Sequence, residues 1–326
     1  MRDRDRVVVL VGASSGIGRA TALRLARRRT PLVLAARSAS TLEELAAECR
    51  HLGAPVLAVR TDVSDEDQVR RLSQRAVERF GRIDAWVGAA SVFSYGSFED
   101  TPPEVFRQQL ETNLFGQVYS ARAALPVFRQ QGGGAIVFVA SIYSRVTSPY
   151  ASGYITSKHA LMGFAETLRQ EVERDGISVS TVLPATIDTP IYQHSANYTG
   201  RRVHPLPPIV AADRAARAIV RVLHRPRRAV AVGRVQSLLV VVHGVAPGLY
   251  SRMVRPAMDL LALRRGSVPP SPGNVFAPQP ELNRVAGGWR WPAAVRLLPL
   301  AALAAFLLLP PAALAALLLP ARHRIR

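Results

Sequence analysis

The sequence predicts an α/β fold, a doubly wound parallel sheet of about seven strands with helices on both faces, followed by a helical and then hydrophobic C-terminal extension. Three observations predict it. Short, apolar, β-branched runs alternate with longer helix-periodic stretches from Arg6 to about Leu183. The apolar runs are nearly unbroken, as expected of strands buried on both faces. The first of them feeds directly into a glycine-rich turn.

In chain order, strands are expected over 7–11, 32–35, 56–59, 85–88, 136–140 and 178–183. The intervening helices are expected over 20–29, 42–49, 66–80, 104–128 and 154–174, the first beginning near Arg19. Ser64 before Asp65, Glu66 and Asp67 reads as a helix N-cap with acids in the first turn, where the helix dipole favours them. A helix near 211–223 and a strand near 229–232 complete the seven strands. The expected division is an α/β domain over 1–235, a helical extension and Pro/Gly-rich linker over 236–292, and a hydrophobic segment over 293–326.

Charge and composition narrow the partners. The chain has 326 residues, 48% of them hydrophobic, with 42 basic against 23 acidic side chains. Residues 1–188 are nearly balanced, at 23 basic and 20 acidic, whereas 189–326 carry 19 against 3. The arginines of this basic part are dispersed, without interleaved aromatics or a nucleic-acid-binding motif, which argues against a nucleic-acid partner. A single cysteine, Cys49, excludes an intramolecular disulfide, and the seven histidines form no metal-ligand spacing, so no metal site is expected. The charged N-terminus leads straight into a strand rather than a signal peptide, so a cytoplasmic location is expected for this domain.

Residues 297–321 are 25 positions without a charge, flanked by Arg290, Arg296, Arg322, Arg324 and Arg326. As one helix they would reach about 37 Å, enough to cross a bilayer core. Pro310 and Pro311 interrupt the middle, so a shallow hairpin entering and leaving one face is the other topology. Either way, a membrane anchor is expected.

The turn after the first strand reads Gly12-Ala-Ser14-Ser15-Gly16-Ile17-Gly18. Glycines there let the chain turn tightly and bring backbone N–H groups to a pyrophosphate at a helix N-terminus. At the end of the second strand stands Arg37, where an acidic residue would bind the ribose 2′-OH of NAD and an arginine the 2′-phosphate of NADP. NADP(H) is therefore the expected cofactor, with NAD(H) as the alternative.

Tyr154 and Lys158, at i and i+4, project from one helix face, and Ser141 lies 13 residues upstream at a strand end. An ammonium close to a phenol favours the phenolate, and a hydroxyl alongside can orient a substrate oxygen. Lys158 is also the only lysine in the chain; every other basic residue of the 42 is arginine.

Residues 6 to about 190 resemble the short-chain dehydrogenases/reductases, on the Gly-x3-Gly-x-Gly turn, Asn113-Leu-Phe-Gly116, Ser141, Tyr154-x3-Lys158 and Pro184-Ala-Thr-Ile187-Asp-Thr189. The resemblance implies a Rossmann-type fold, with Tyr154 as general acid/base, Lys158 lowering its pKa and binding the nicotinamide ribose, and Ser141 orienting the substrate. It further implies that Asn113 holds a proton-relay water, Asp62 and Val63 meet the adenine, and Pro184, Ile187 and Thr189 meet the nicotinamide. Where that family has Asn-Asn-Ala-Gly after the fourth strand, this chain has Gly88-Ala89-Ala90-Ser91, a loss expected to weaken the wall beside the adenosine ribose. The expected activity is hydride transfer between nicotinamide and a carbonyl or secondary alcohol, on a small and apolar substrate. A homo-oligomer formed through the helices near 104–128 and 154–174 is implied as well. The alternative is a non-catalytic, membrane-attached nucleotide-binding or scaffold protein on the same fold.

Overall fold

The computed structural model describes residues 5–289 except Arg265. Seven strands form one parallel sheet: β1 Val8–Val11, β2 Leu32–Ala36, β3 Val56–Arg60, β4 Ala85–Gly88, β5 Gly134–Val139, β6 Ile177–Pro184 and β7 Ala229–Val232. Their order across the sheet is β3-β2-β1-β4-β5-β6-β7. The strand order reverses at β1, whose neighbours are β2 and β4, so the carboxyl ends of β1 and β4 flank a crevice.

Alternation along each strand builds two cores. Val8, Leu10, Leu32 and Leu34 face a layer made with α1 (Gly16–Ala26) and α2 (Ala39–His51). Val9, Val11, Val33 and Ala35 face the opposite layer, made with α3 (Glu66–Phe80) and, further along, α5 (Gly116–Gln130) and α6 (Ser152–Val172). The period of two along a strand explains why both faces of an all-apolar run are used.

Local chemistry sets the helix ends. The N-cap of α3 is Asp65 rather than the expected Ser64: Asp65 Oδ1 accepts the Gln68 N–H at 3.0 Å, and Gln68 Nε2 donates back to Asp65 Oδ2 at 2.8 Å. Ser64 instead donates to Asp62. Gly81, with φ of 74°, ends the helix in the left-handed conformation. The helix expected over 104–128 is interrupted: α4 (Pro103–Leu110) passes through a π-turn, Glu111–Phe115, into α5.

Beyond β6 come the single turn α7 (Ile191–His194) and α8 (Ala212–His224), which packs on α1. After β7, α9 (Arg234–Val245) and α10 (Pro247–Ala257) fold back across the carboxyl edge of the sheet. A short pairing of Arg202–Val203 with Leu263–Arg264 holds this return, while Ser94–Tyr95 pairs with Ala196–Asn197 to join the loops after β4 and β6. Among the described residues no helix is long and apolar enough to cross a membrane. The expected anchor over 293–326 lies outside the described residues.

Candidate active site

The helix α1 begins at Gly16, three residues earlier than its apolar pattern suggests, so the glycine-rich turn itself forms its N-terminus. Ser15 is the N-cap and makes no side-chain capping bond, and no acid occupies the first turn. An uncapped N-terminus of this kind favours an anion. Two glycines are sterically required. A Cβ on Gly12, at φ +79°, would lie 2.4 Å from the Ala90 nitrogen, and one on Gly18 would lie 2.0 Å from the Gly12 oxygen.

Every expected cofactor or catalytic residue except Asp62 and Asn113 lines one continuous cleft of about 380 Å³. Gly12 to Gly18 and Arg37 form one end, Ser141, Tyr154 and Lys158 the middle, and Pro184, Ile187 and Thr189 the opposite wall. Val63 joins them, whereas the Asp62 carboxylate is turned into its own loop, accepting from the Ser64 N–H at 3.0 Å and hydroxyl at 2.7 Å.

The middle of the cleft is built on α6 and the end of β5. Tyr154 and Lys158 are both buried, at 6% and 1% exposure, and Lys158 Nζ sits 5.5 Å from the Tyr154 ring centroid and donates to the Val139 carbonyl at 3.2 Å. Burial pushes the Tyr154 phenol up to about 12, opposed by hydrogen bonds from the Ser141 and Ser91 hydroxyls, while nearby Tyr143 reinforces the rise. Burial also pulls the Lys158 ammonium down to about 7. Withdrawal from water is the largest influence on both groups.

Asn113 sits in the π-turn, fully buried, and its side chain is saturated by protein. Its Oδ1 accepts from Val92 N–H at 2.8 Å and Ser91 Oγ at 3.1 Å; its Nδ2 donates to the Val92 carbonyl at 2.9 Å and Ser157 Oγ at 3.1 Å. Through these bonds the Asn113 side chain ties the loop after β4 to α6. Gln117 helps from the next turn, donating to the Ala90 carbonyl at 3.3 Å and packing where a Gly88 side chain would stand. The wall at Gly88-Ala89-Ala90-Ser91 is braced from α5 and the π-turn, with Ser91 contributing through its bond to Asn113.

Several lining residues carried no advance signal. Ser91 contacts the Tyr154 hydroxyl. Phe93 packs on the Tyr154 ring at 4.2 Å between centroids and Tyr143 meets its edge at 6.2 Å. Leu239, Tyr250, Met253 and Met258, from α9, α10 and the turn that follows, complete an apolar compartment beside the tyrosine. The Arg37 guanidinium is half-buried, and its partial withdrawal from water lowers its pKa against the opposing charge of Asp62. It donates to two backbone carbonyls, Asn274 at 2.5 Å and Val275 at 3.2 Å.

Comparison with known proteins matches this geometry. The chain is 32% identical over 259 residues to an uncharacterised oxidoreductase of Bacillus subtilis (strain 168), spanning 78% of this chain and 73% of that protein. It is 37% identical over 234 residues to 11-beta-hydroxysteroid dehydrogenase A of Sesamum indicum, covering 68% of this chain and 67% of that one. Among solved structures, an alcohol dehydrogenase from the archaeon Thermococcus sibiricus, complexed with 5-hydroxy-NADP, superposes with a TM-score of 0.61 at 29% identity, over 70% of this chain and 94% of that one. The family model described as short chain dehydrogenase matches residues 6–198. With that match covering more than half its length, the chain belongs to the short-chain dehydrogenases, NAD(P)-dependent oxidoreductases.

Proposed function

We propose that the protein is an NADP(H)-dependent oxidoreductase that interconverts a carbonyl compound and its secondary alcohol, with Tyr154 as the general acid/base. The observation that carries this reading is one cleft with an anion-ready helix N-terminus and Arg37 at one end and Ser141, Tyr154 and Lys158 at its centre. The residues fit a dinucleotide: His194 Nε2 is buried in this cleft without a hydrogen-bond partner, and the α1 N-terminus has no side-chain cap.

When bound, the nicotinamide would supply or accept a hydride at its C4. Ser141 and Tyr154 hold the substrate oxygen by hydrogen bonds, and Tyr154 passes its phenolic proton to that oxygen as the carbonyl carbon becomes tetrahedral. Oxidation of an alcohol runs the same proton transfer in reverse. Lys158 stabilises the tyrosinate left after donation, and its ammonium form would be favoured by the phosphates of a bound dinucleotide. Phe93, Tyr143 and the α9–α10 side chains keep water from the reacting centre and favour an apolar substrate. A relative named as a hydroxysteroid dehydrogenase is consistent with that preference. The converging serine, tyrosine and lysine leave the non-catalytic scaffold reading without a supporting observation. Membrane attachment through 293–326 and assembly into a homo-oligomer rest on the sequence and the resemblance alone.

NADP(H) over NAD(H) rests on Arg37. Two of its five N–H donors are engaged by carbonyls, which leaves donors for a 2′-phosphate. Titration by cofactor fluorescence is expected to show tighter NADPH than NADH binding. Arg37→Ala should lower the NADPH:NADH affinity ratio about 10- to 100-fold, the loss of a charge-assisted contact. A ratio unchanged by the substitution, or tighter NADH binding by the native protein, contradicts the assignment.

A further inference from the structure

The Pro/Gly-rich segment, expected to be a linker, lines the cleft through Asn274, Pro278, Gln279 and Asn283. Asn197 and Ser271 exchange backbone hydrogen bonds at 2.8 and 3.0 Å, and Asn274 N–H donates to the His194 carbonyl at 2.8 Å. Asn274 and Val275 receive Arg37, and Val275 is fully buried against Val92 and Ala196. Asn283 Nδ2 donates to Thr41 Oγ1 on α2 at 3.2 Å, and the Arg284 carbonyl accepts the N–H of Gly16, the first residue of α1, at 2.9 Å. Trp289 closes the run, donating to Asp188 Oδ1 at 2.9 Å and to the Thr189 carbonyl at 3.1 Å. The strap 271–289 therefore passes from the end of β2, over the glycine-rich turn, to the wall at Thr189.

This arrangement is too tailored for a passive linker. A Cβ on Gly273, at φ +53°, would lie 2.2 Å from the His194 oxygen, so the backbone is fitted against the body at that point. Three buried polar atoms nevertheless lack partners here: Asn274 Oδ1, Gln279 Oε1 and His194 Nε2, the last on a side chain only 3% exposed. All three residues line the cleft, beside Arg37 and the start of α1. A buried polar atom without a partner is costly, and three at one edge point to a ligand that satisfies them. Burial holds His194 below its ordinary pKa, against the opposing pull of Glu281 and of a hydrogen bond to the Leu282 backbone.

We propose that the strap 271–289 is a fourth wall of the nucleotide site, which clasps the adenosine of the dinucleotide, Asn274 Oδ1, Gln279 Oε1 and His194 Nε2 meeting its ribose hydroxyl and base amino donors while Arg37 takes the 2′-phosphate, and which must open for the dinucleotide to leave. The proposal rests on the NADP(H) reading above. The strap's own carbonyls fix the Arg37 guanidinium, so cofactor selection and closure share one side chain.

The test measures equilibrium binding and stopped-flow release of NADPH, with adenosine 2′,5′-bisphosphate and nicotinamide mononucleotide as half-molecule probes. The native protein is compared with the Asn274→Ala/Gln279→Ala double variant and with Gln279→Glu, which keeps the side chain's shape and places a carboxylate toward the phosphates. Both variants are expected to weaken NADPH and the bisphosphate by about 10-fold or more, to speed NADPH release in proportion, and to leave the mononucleotide within about twofold. NADPH should also slow hydrogen exchange across 271–289 in the native protein. If NADPH binds the native protein, yet both variants release it at the native rate and its binding leaves strap exchange unchanged, the strap is not a wall of the site and the NADP(H) reading stands. If the native protein binds no dinucleotide, the NADP(H) reading falls, and the clasp falls with it.

Discussion

Tyr154→Phe is expected to lower turnover by about 10²- to 10⁴-fold while NADPH affinity stays within about threefold. The phenylalanine ring keeps the packing on Phe93 and the edge contact with Tyr143, so the cleft retains its shape. Only the hydroxyl is lost, and with it the proton that burial has kept on the phenol at neutral pH. The Ser141 and Ser91 hydroxyls lose a partner, a cost of about 1 kcal/mol that leaves the protein folded. Steady-state rates with a responsive ketone, alongside NADPH titration, check this. Turnover within tenfold of native would remove Tyr154 from its role.

Lys158→Met should act on stability, catalysis and proton linkage with separable signatures. Lys158 is buried with its ammonium on a single backbone carbonyl, and burial has pulled its pKa to about 7. In the unfolded chain it returns to its ordinary value near 10.5, so between those values the unfolded state binds the extra proton. The contribution of Lys158 to stability therefore rises with pH through that window and is least favourable below pH 7. Urea unfolding should show the methionine variant, which fills a similar volume, gaining most over the native protein at pH 6 and progressively less as the pH rises to 9. Turnover should nonetheless fall by about 10²-fold or more, because no cation remains to stabilise the tyrosinate.

Proton linkage gives the third signature. The phosphates of a bound dinucleotide would raise the Lys158 pKa from about 7 toward its ordinary value, so NADPH binding at pH 8 is expected to take up a proton. Calorimetry in buffers of different ionisation enthalpy should detect that uptake in the native protein and not in the variant. Equal uptake in both would place the responsive group elsewhere.

The parts of this architecture legible in advance are those written in local periodicity and in fixed spacings of chemically distinctive side chains. Apolar runs such as Val8–Val11 announce buried strands, and Tyr154 with Lys158 announces a shared helix face. Asp65 took the cap from Ser64 because Gln68 can answer it with two hydrogen bonds, a choice between two competent neighbours that only the assembled turn resolves. Asn113 was recognised by its motif, yet its saturation by Val92, Ser91 and Ser157 depends on segments 21 to 44 residues away. The strap was hidden for a different reason. It grips Arg37 and Gly16 through main-chain carbonyls, which any residue can supply, and its Pro/Gly-rich sequence carries no period to reveal a docking face. The apolar compartment drew on α9 and α10, whose lining role exists only once they fold back over the sheet edge.

The most direct test of the central claim follows the hydride itself. NADPH carrying deuterium at nicotinamide C4 is incubated with the protein and a panel of ketones, aldehydes and quinones, and the products are examined by mass spectrometry and NMR. The account predicts that cofactor of one C4 configuration delivers its deuterium to the carbinol carbon of at least one apolar carbonyl substrate, with the hydroxyl proton coming from solvent through Tyr154. Deuterium appearing in water rather than on carbon, or no NADPH consumed across the panel, would contradict it.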